Sequence, residues 1–241
     1  MRKSFLNVLF AAMSLAAFSA AAEKATPSFG DGNTIVCGAK SIRVTADGKI
    51  DIISQGRRIA QLLNYYAIKN TETGKSDWES HSPAISQITR DGNKIVWILN
   101  KETSGTKWNS AVQTLEIMPD GLLKLSAKLN APPPQYKFNS RTQSFWVTLP
   151  MAQSEGAGVT FNGKNYTLTG KDTKITGDWM SKNFKYTFYN NDPDCSFSVS
   201  GAKPEIYAVG FLPLASTKLY RVTFEFNREK PLEGAVFIDL R

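Results

Sequence analysis

Four times in this chain an Asp-Gly or Asn-Gly pair separates two runs of alternating apolar and polar residues. The clearest case is Val112 to Leu129, VQTLEIMPDGLLKLSAKL, which turns at Pro119-Asp120-Gly121. Leu115 and Ile117 point one way before the turn, Thr114 and Glu116 the other. After it, Leu123, Leu125, Ala127 and Leu129 share a face, while Lys124, Ser126 and Lys128 take the opposite one. Period-two alternation marks a strand with one buried face. Proline presets φ for the first corner, and glycine accepts the positive φ at the exit. Ile42 to Ile53 repeats the device around Asp47-Gly48, Ile88 to Leu99 around Asp91-Gly92, and Val159 to Leu168 around Asn162-Gly163. Such pairs are the strongest short-range hairpin signal. Their uneven spacing excludes an exact blade or solenoid repeat.

Further alternating runs fill the chain. Gln143 to Leu149 sets Phe145, Val147 and Leu149 inward and Ser144, Trp146 and Thr148 opposite. Leu219 to Asn227 sets Tyr220, Val222, Phe224 and Phe226 against Arg221, Thr223, Glu225 and Asn227. Gln55 to Ile68 carries both a helical spacing and a strand reading, and its Gln-Gly entry and Tyr65-Tyr66 pair favour the strand. A dozen or so short strands with no convincing long helix imply an all-β, antiparallel two-sheet sandwich. The expected layout is a flexible leader at 23–33 and one sandwich domain at 34–241. Three prolines at 132–134, within a crossover at 130–134, carry the chain between sheets, since proline cannot donate to a ladder.

The N-terminus has a positive start at Arg2 and Lys3, an apolar run from Phe5 to Phe18, and the small residues Ser19-Ala20-Ala21-Ala22. This is the pattern of a secretory signal peptide over 1–22, and the apolar run is shorter than the roughly 20 residues a membrane helix needs. The expected destination is secreted or periplasmic, with no membrane span after signal removal. The whole chain has a formal net charge of +8. Such a balance suits acidic partners such as uronate polysaccharides, anionic surfaces or nucleic acid; the dispersed basic residues, without a long run, favour plain solubility, and export disfavours nucleic acid. Cys37 and Cys195 are the only cysteines. In an exported chain such a pair reads as one disulfide, with two separate buried thiols as the other reading. With a single histidine, His81, there are too few ligands for a structural zinc site.

The chain has no G-x-S-x-G elbow, no H-E-x-x-H and no Walker loop. Aromatic residues in polar surroundings are the better lead. Trp146 lies between Ser144 and Thr148, and Trp78, Trp108 and Trp179 have charged neighbours. A flat ring beside a few polar groups is what a sugar cleft requires; the competing reading puts Trp146 between two packed sheets. The expected carbohydrate-binding residues are Trp146, Tyr189, Lys185 and Trp179. Asn190, Asn191, Asp192 and Asp194 offer oxygen ligands for calcium, or form an Asx-rich turn.

Phe184-Lys185-Tyr186-Thr187-Phe188-Tyr189-Asn190-Asn191 resembles the F-K-x-x-x-Y-N-Q strand of family 7 alginate lyases. That likeness implies Lys185 and Tyr189 as site residues, with Tyr189 transferring a proton. The family's R-x-E-x-R and Gln-x-His strands have no counterpart here. A β-eliminating lyase would use Tyr189 or His81 as base and Arg141 or Lys185 to neutralise a uronate. The I-x-V-x-x-D-G-x-I hairpin at Ile42 to Ile50, the Gly56-Arg57-Arg58-Ile59 continuation and the later hairpins resemble the galactose-mutarotase-type β-supersandwich. Mutarotases use two histidines, so the likeness implies a fold and not that activity. The sequence favours an exported, non-catalytic carbohydrate-binding sandwich, with no cofactor, over a polysaccharide lyase or a protein-binding envelope component.

Overall fold

The computed structural model describes residues 25–77, 84–103, 106–139, 143–170, 175–176, 183–202, 206–214, 216–226 and 232–241. Among them two nine-stranded sheets form, and every strand pair is antiparallel. In spatial order the first sheet runs Ser28–Phe29, Thr34–Cys37, Lys40–Val44, Ile50–Ser54 and Arg57–Tyr65. It continues through Ser144–Pro150, Leu219–Phe226, Ile206–Leu214 and Ile175–Thr176. The second sheet runs Lys164–Thr167, Gly158–Phe161, Asn183–Phe188, Phe197–Ala202 and Glu233–Asp239. It continues through Leu123–Leu129, Thr106–Ile117, Lys94–Thr103 and Ala84–Asp91. Tyr136–Phe138, Ile68–Asn70 and Ser76–Asp77 form a small third sheet. One helical turn, Met151–Ser154, follows a first-sheet strand.

All four expected hairpins form, each about its expected turn. The disputed Gln55–Ile68 segment is strand over Arg57–Tyr65. Gln55 and Gly56 both take positive φ, 50° and 73°, so Gln-Gly stands where Asn-Gly is usual. At Gly48, also at positive φ, a Cβ would run into the Leu99 side chain, so the first hairpin's turn presses directly on the opposite sheet. After Leu129 the proline run leads from the second sheet to the small sheet, and Ser144–Pro150 then enters the first. Where the sequence suggests a flexible leader, Ser28–Phe29 instead pairs with Ile35 and Val36, and Arg90 lies 3.9 Å over the Phe29 ring.

The inward faces meet in one apolar core. Phe145, Val147, Leu149, Tyr220, Val222 and Phe224 from the first sheet are fully buried, as are Trp97, Leu115, Tyr186, Phe188, Val236 and Ile238 from the second. Burying such a side chain is worth about 1.5–3 kcal/mol. Asn64 is an exception: it lies on the inward face opposite Phe145, 5% exposed, and neither amide atom has a hydrogen-bond partner among the described residues.

The expected disulfide is absent. Cys37 and Cys195 are both buried free thiols, and burial is the first cause pushing each thiol up from its ordinary value. The join that a disulfide would make falls to other groups. Lys40, which faces Cys37 across the hairpin, donates from Nζ to the carbonyls of Pro193 (3.2 Å) and Ser196 (2.7 Å). Ser54 donates to the Asp194 carbonyl at 2.6 Å. These bonds hold the loop of one sheet to the edge hairpin of the other. Cys37 Sγ is turned towards the Ala25 carbonyl at 3.3 Å.

Two outcomes follow. Both thiols will alkylate only after denaturation, and reductant will leave the melting temperature unchanged; quantitative alkylation with mass spectrometry reads this. Asn64→Leu will be neutral or stabilising by up to about 2 kcal/mol in urea unfolding, because it removes an unpaired buried amide.

Candidate functional site

The outward face of the first sheet is set by register. Directly opposite residues form a row across its strands: Arg43, Asp51, Gln61, Thr148, Arg221 and Leu212. The next row holds Leu63, Trp146 and Thr223, and the one beyond it Tyr65, Ser144 and Glu225. Trp146 therefore stands between Tyr65 on one side and Arg221 on the other, on central strands.

Two rings stack and a cation lies over one of them. The Tyr65 and Trp146 rings lie 3.9 Å apart at 15°, and the Arg221 guanidinium carbon sits 4.2 Å over the Trp146 ring. Two such close partners cannot share one ring face, so Tyr65 covers one and Arg221 the other. Trp146 is half-buried and offers its edge. The sequence expectation of an open sugar platform at Trp146 is corrected accordingly: the ring is filled on both sides, and what it presents is the arginine.

Arg221 makes no hydrogen bond or ion pair among the described residues, and its Nε is buried without a partner. Burial pulls the guanidinium's pKa down from its ordinary value, and the nearby Tyr65 opposes that. The acid in the same row is already engaged. Asp51 is held by Arg43 at 3.2 Å and Arg58 at 3.7 Å and accepts from Gln61 Nε2 at 2.8 Å. With Nε buried, the terminal N–H groups of the guanidinium are the ones that can meet a bidentate acceptor.

The remaining sequence candidates separate. Lys185 is exposed on the outward face of the second sheet, across the core from Trp146, so the two do not share a site. Tyr189 is buried at 5% exposure. Alternation would place it outward beside Lys185 and Thr187, but its φ of 54° ends the strand in the left-handed region and turns the ring into the core. Its hydroxyl donates to the Ile59 carbonyl at 2.9 Å and accepts from Ser154 at 2.7 Å. Burial is the main cause raising its pKa, and the Ser154 bond opposes it. Tyr189 is therefore neither a proton-transfer group open to substrate nor a sugar contact. Trp78, His81, Arg141 and Trp179 lie outside the described residues. Trp97 is core, and Trp108 is half-buried with its ring 6.5 Å from that of Phe138.

The Asx-rich loop is internally bonded. Asn191 Oδ1 accepts from the Gly158 amide at 2.7 Å, and Asp192 Oδ1 accepts from the amides of Asp194 and Cys195. Asn190 Nδ2 donates to Thr160 and Asn165, and Asp194 accepts from Gln55 Nε2 at 3.0 Å. Among the described residues no group of three or more His, Cys, Asp or Glu could hold a metal ion, and no helix is long and apolar enough to cross a membrane.

No protein-family model matches the chain, and no curated protein matches it in sequence. The chain bears a fold-level likeness to two solved structures. One is an α-mannosidase from Enterococcus faecalis V583, at 10% identity and a TM-score of 0.45, over 90% of this chain and 30% of that one. The other is a proposed mutarotase (YeaD) from Salmonella typhimurium, at 10% identity and a TM-score of 0.30, over 90% of this chain and 93% of that one. The chain thus spans about a third of the mannosidase's length.

Sequence reasoning picked out Trp146 but missed Arg221 and Tyr65 as its partners. Their signal was present in the alternation, which put Arg221 on an outward face, but strand order was needed to bring it beside Trp146. Tyr189→Phe will lower stability by about 1–3 kcal/mol in urea unfolding, because it strands the Ser154 hydroxyl and the Ile59 carbonyl, and it will leave any glycan affinity unchanged.

Proposed function

We propose that this is an exported, non-catalytic carbohydrate-binding protein that takes an acidic polysaccharide on the outward face of its first sheet. One observation carries the reading: Arg221 is fixed on Trp146, half-buried, with no acidic partner in the described chain. A desolvated cation without a counter-ion costs free energy that a ligand carboxylate or sulfate would recover. Thr223, two residues along the same strand, is half-buried and carries a hydroxyl suited to a sugar hydroxyl. The basic balance of the chain supports an anionic ligand, and the N-terminal pattern supports export.

The test is affinity electrophoresis in gels containing alginate, polygalacturonate, dextran sulfate or neutral dextran. The native chain will be retarded by at least one acidic glycan and not by neutral dextran. Arg221→Gln will weaken that retardation by roughly tenfold or more, the scale of a lost charge-assisted hydrogen bond, and Trp146→Ala will do so by releasing the arginine. Equal mobility of the native chain in every gel would overturn the reading.

A further inference from the structure

The outward face of the second sheet holds two adjoining grooves. The larger, about 570 Å³, is lined by Val112, Thr114, Lys124, Ser126, Lys128 and Glu233 among others. The smaller, about 380 Å³, is lined by Asn162, Asn183, Lys185, Ser200 and Phe237 among others. Register joins them, because Lys185, Ser200, Phe237 and Lys124 stand directly opposite one another on four successive strands. The result is a shallow trough with a half-buried phenyl ring at its middle and a lysine at either side. The lysine Cα atoms are three strand spacings apart, about 14 Å.

The charges in this row are unevenly matched. Neither the Lys124 nor the Lys185 ammonium makes a hydrogen bond or ion pair among the described residues. The nearby acids are engaged elsewhere. Asp239 bonds Arg241 at 2.8 Å; burial pushes its carboxyl up, but that bond and the fields of Arg241 and Lys185 hold it below its ordinary value. Glu233 pairs with Lys128 at 3.5 Å, and Glu116, opposite Lys124, accepts from Asn93 Nδ2 at 3.1 Å. The small side chains of Thr114, Ser126 and Ser200 keep the floor low.

We infer that this trough is a second binding site, for an extended anionic polysaccharide chain lying across the strands. A sugar ring packs its C–H face on Phe237, and acidic groups of neighbouring sugars reach Lys124 and Lys185. A ring between two cations suits a ligand that is apolar on one face and repeatedly charged along its length. The site is independent of the Arg221 stack and lies on the opposite side of the sandwich. One chain with two such faces can engage two polysaccharide strands at once, and avidity then grows without new contacts.

Affinity electrophoresis on polygalacturonate separates the two sites. The double variant K124Q/K185Q will weaken binding roughly tenfold, the summed scale of two exposed ion pairs, and F237A will weaken it with no change in net charge. A control pair of exposed lysines, Lys69 on the small sheet's strand Ile68–Asn70 and Lys75 on the loop after it, changed as K69Q/K75Q, will have little effect. Adding R221Q to K124Q/K185Q will weaken binding further. If K124Q/K185Q and F237A bind as the native chain does, or if K69Q/K75Q weakens binding as much as K124Q/K185Q, the trough is not a site. In that case loss on R221Q alone still upholds the first face. Loss on F237A with none on R221Q reverses the outcome, overturning the first face and upholding the trough. An absence of retardation for the native chain overturns both.

Discussion

Phe224 in the first sheet stacks on Phe184 of the second, 5.2 Å away at 17°, and meets the edge of Tyr186 at 5.9 Å. This aromatic contact between sheets is the constraint on which the outer surfaces depend. A strand side chain has only two directions, so fixing Phe224 inward fixes Arg221, Thr223 and Glu225 outward. In the same way, Phe184 and Tyr186 inward leave Asn183, Lys185 and Thr187 outward. The proposed binding faces are thus the necessary reverse sides of the core, and a one-residue slip in either strand would exchange them.

The edges of the sandwich are closed by polar bonds. Lys40 and Ser54 on the first sheet hold the carbonyls of Pro193, Asp194 and Ser196 on the loop of the second. The same loop begins at Tyr189, whose left-handed backbone turns its ring inward to meet Ser154 and Ile59. Two features that look chemical in the sequence, a tyrosine after a lysine strand and a cluster of Asn and Asp, therefore serve to anchor a loop. The side-chain oxygens of Asn191 and Asp192 bond backbone amides, as Asx side chains do in turns.

Much of the fold was legible because the information is local. Asp47-Gly48, Asp91-Gly92, Asp120-Gly121 and Asn162-Gly163 each announce a turn whose flanking strands pair with one another, and no distant contact is needed to find them. The inward faces of Ser144–Pro150 and Leu219–Phe226 could be read in the same way. The candidate site was legible only in part: alternation exposed Trp146 and Arg221 separately, seventy-odd residues apart. In sequence, the outward face of the Val112–Leu129 hairpin, with Lys124, Ser126 and Lys128, is a polar face with no aromatic residue of its own. Only beside Phe237 and Lys185, brought in from the far end of the chain, does it become one side of a trough.

The sequence by itself determined the antiparallel hairpins, the all-β class and which side chains share a face, since period-two alternation and turn chemistry act within a few residues. Tertiary structure alone decided that Cys37 and Cys195 stay apart, that Tyr189 turns inward and that Trp146 has both ring faces covered. Each of these rests on strand order or on one residue's φ, and neither is encoded in the alternation of neighbouring residues. Strand order is set by which apolar faces bury one another best across the whole chain, a collective outcome of packing.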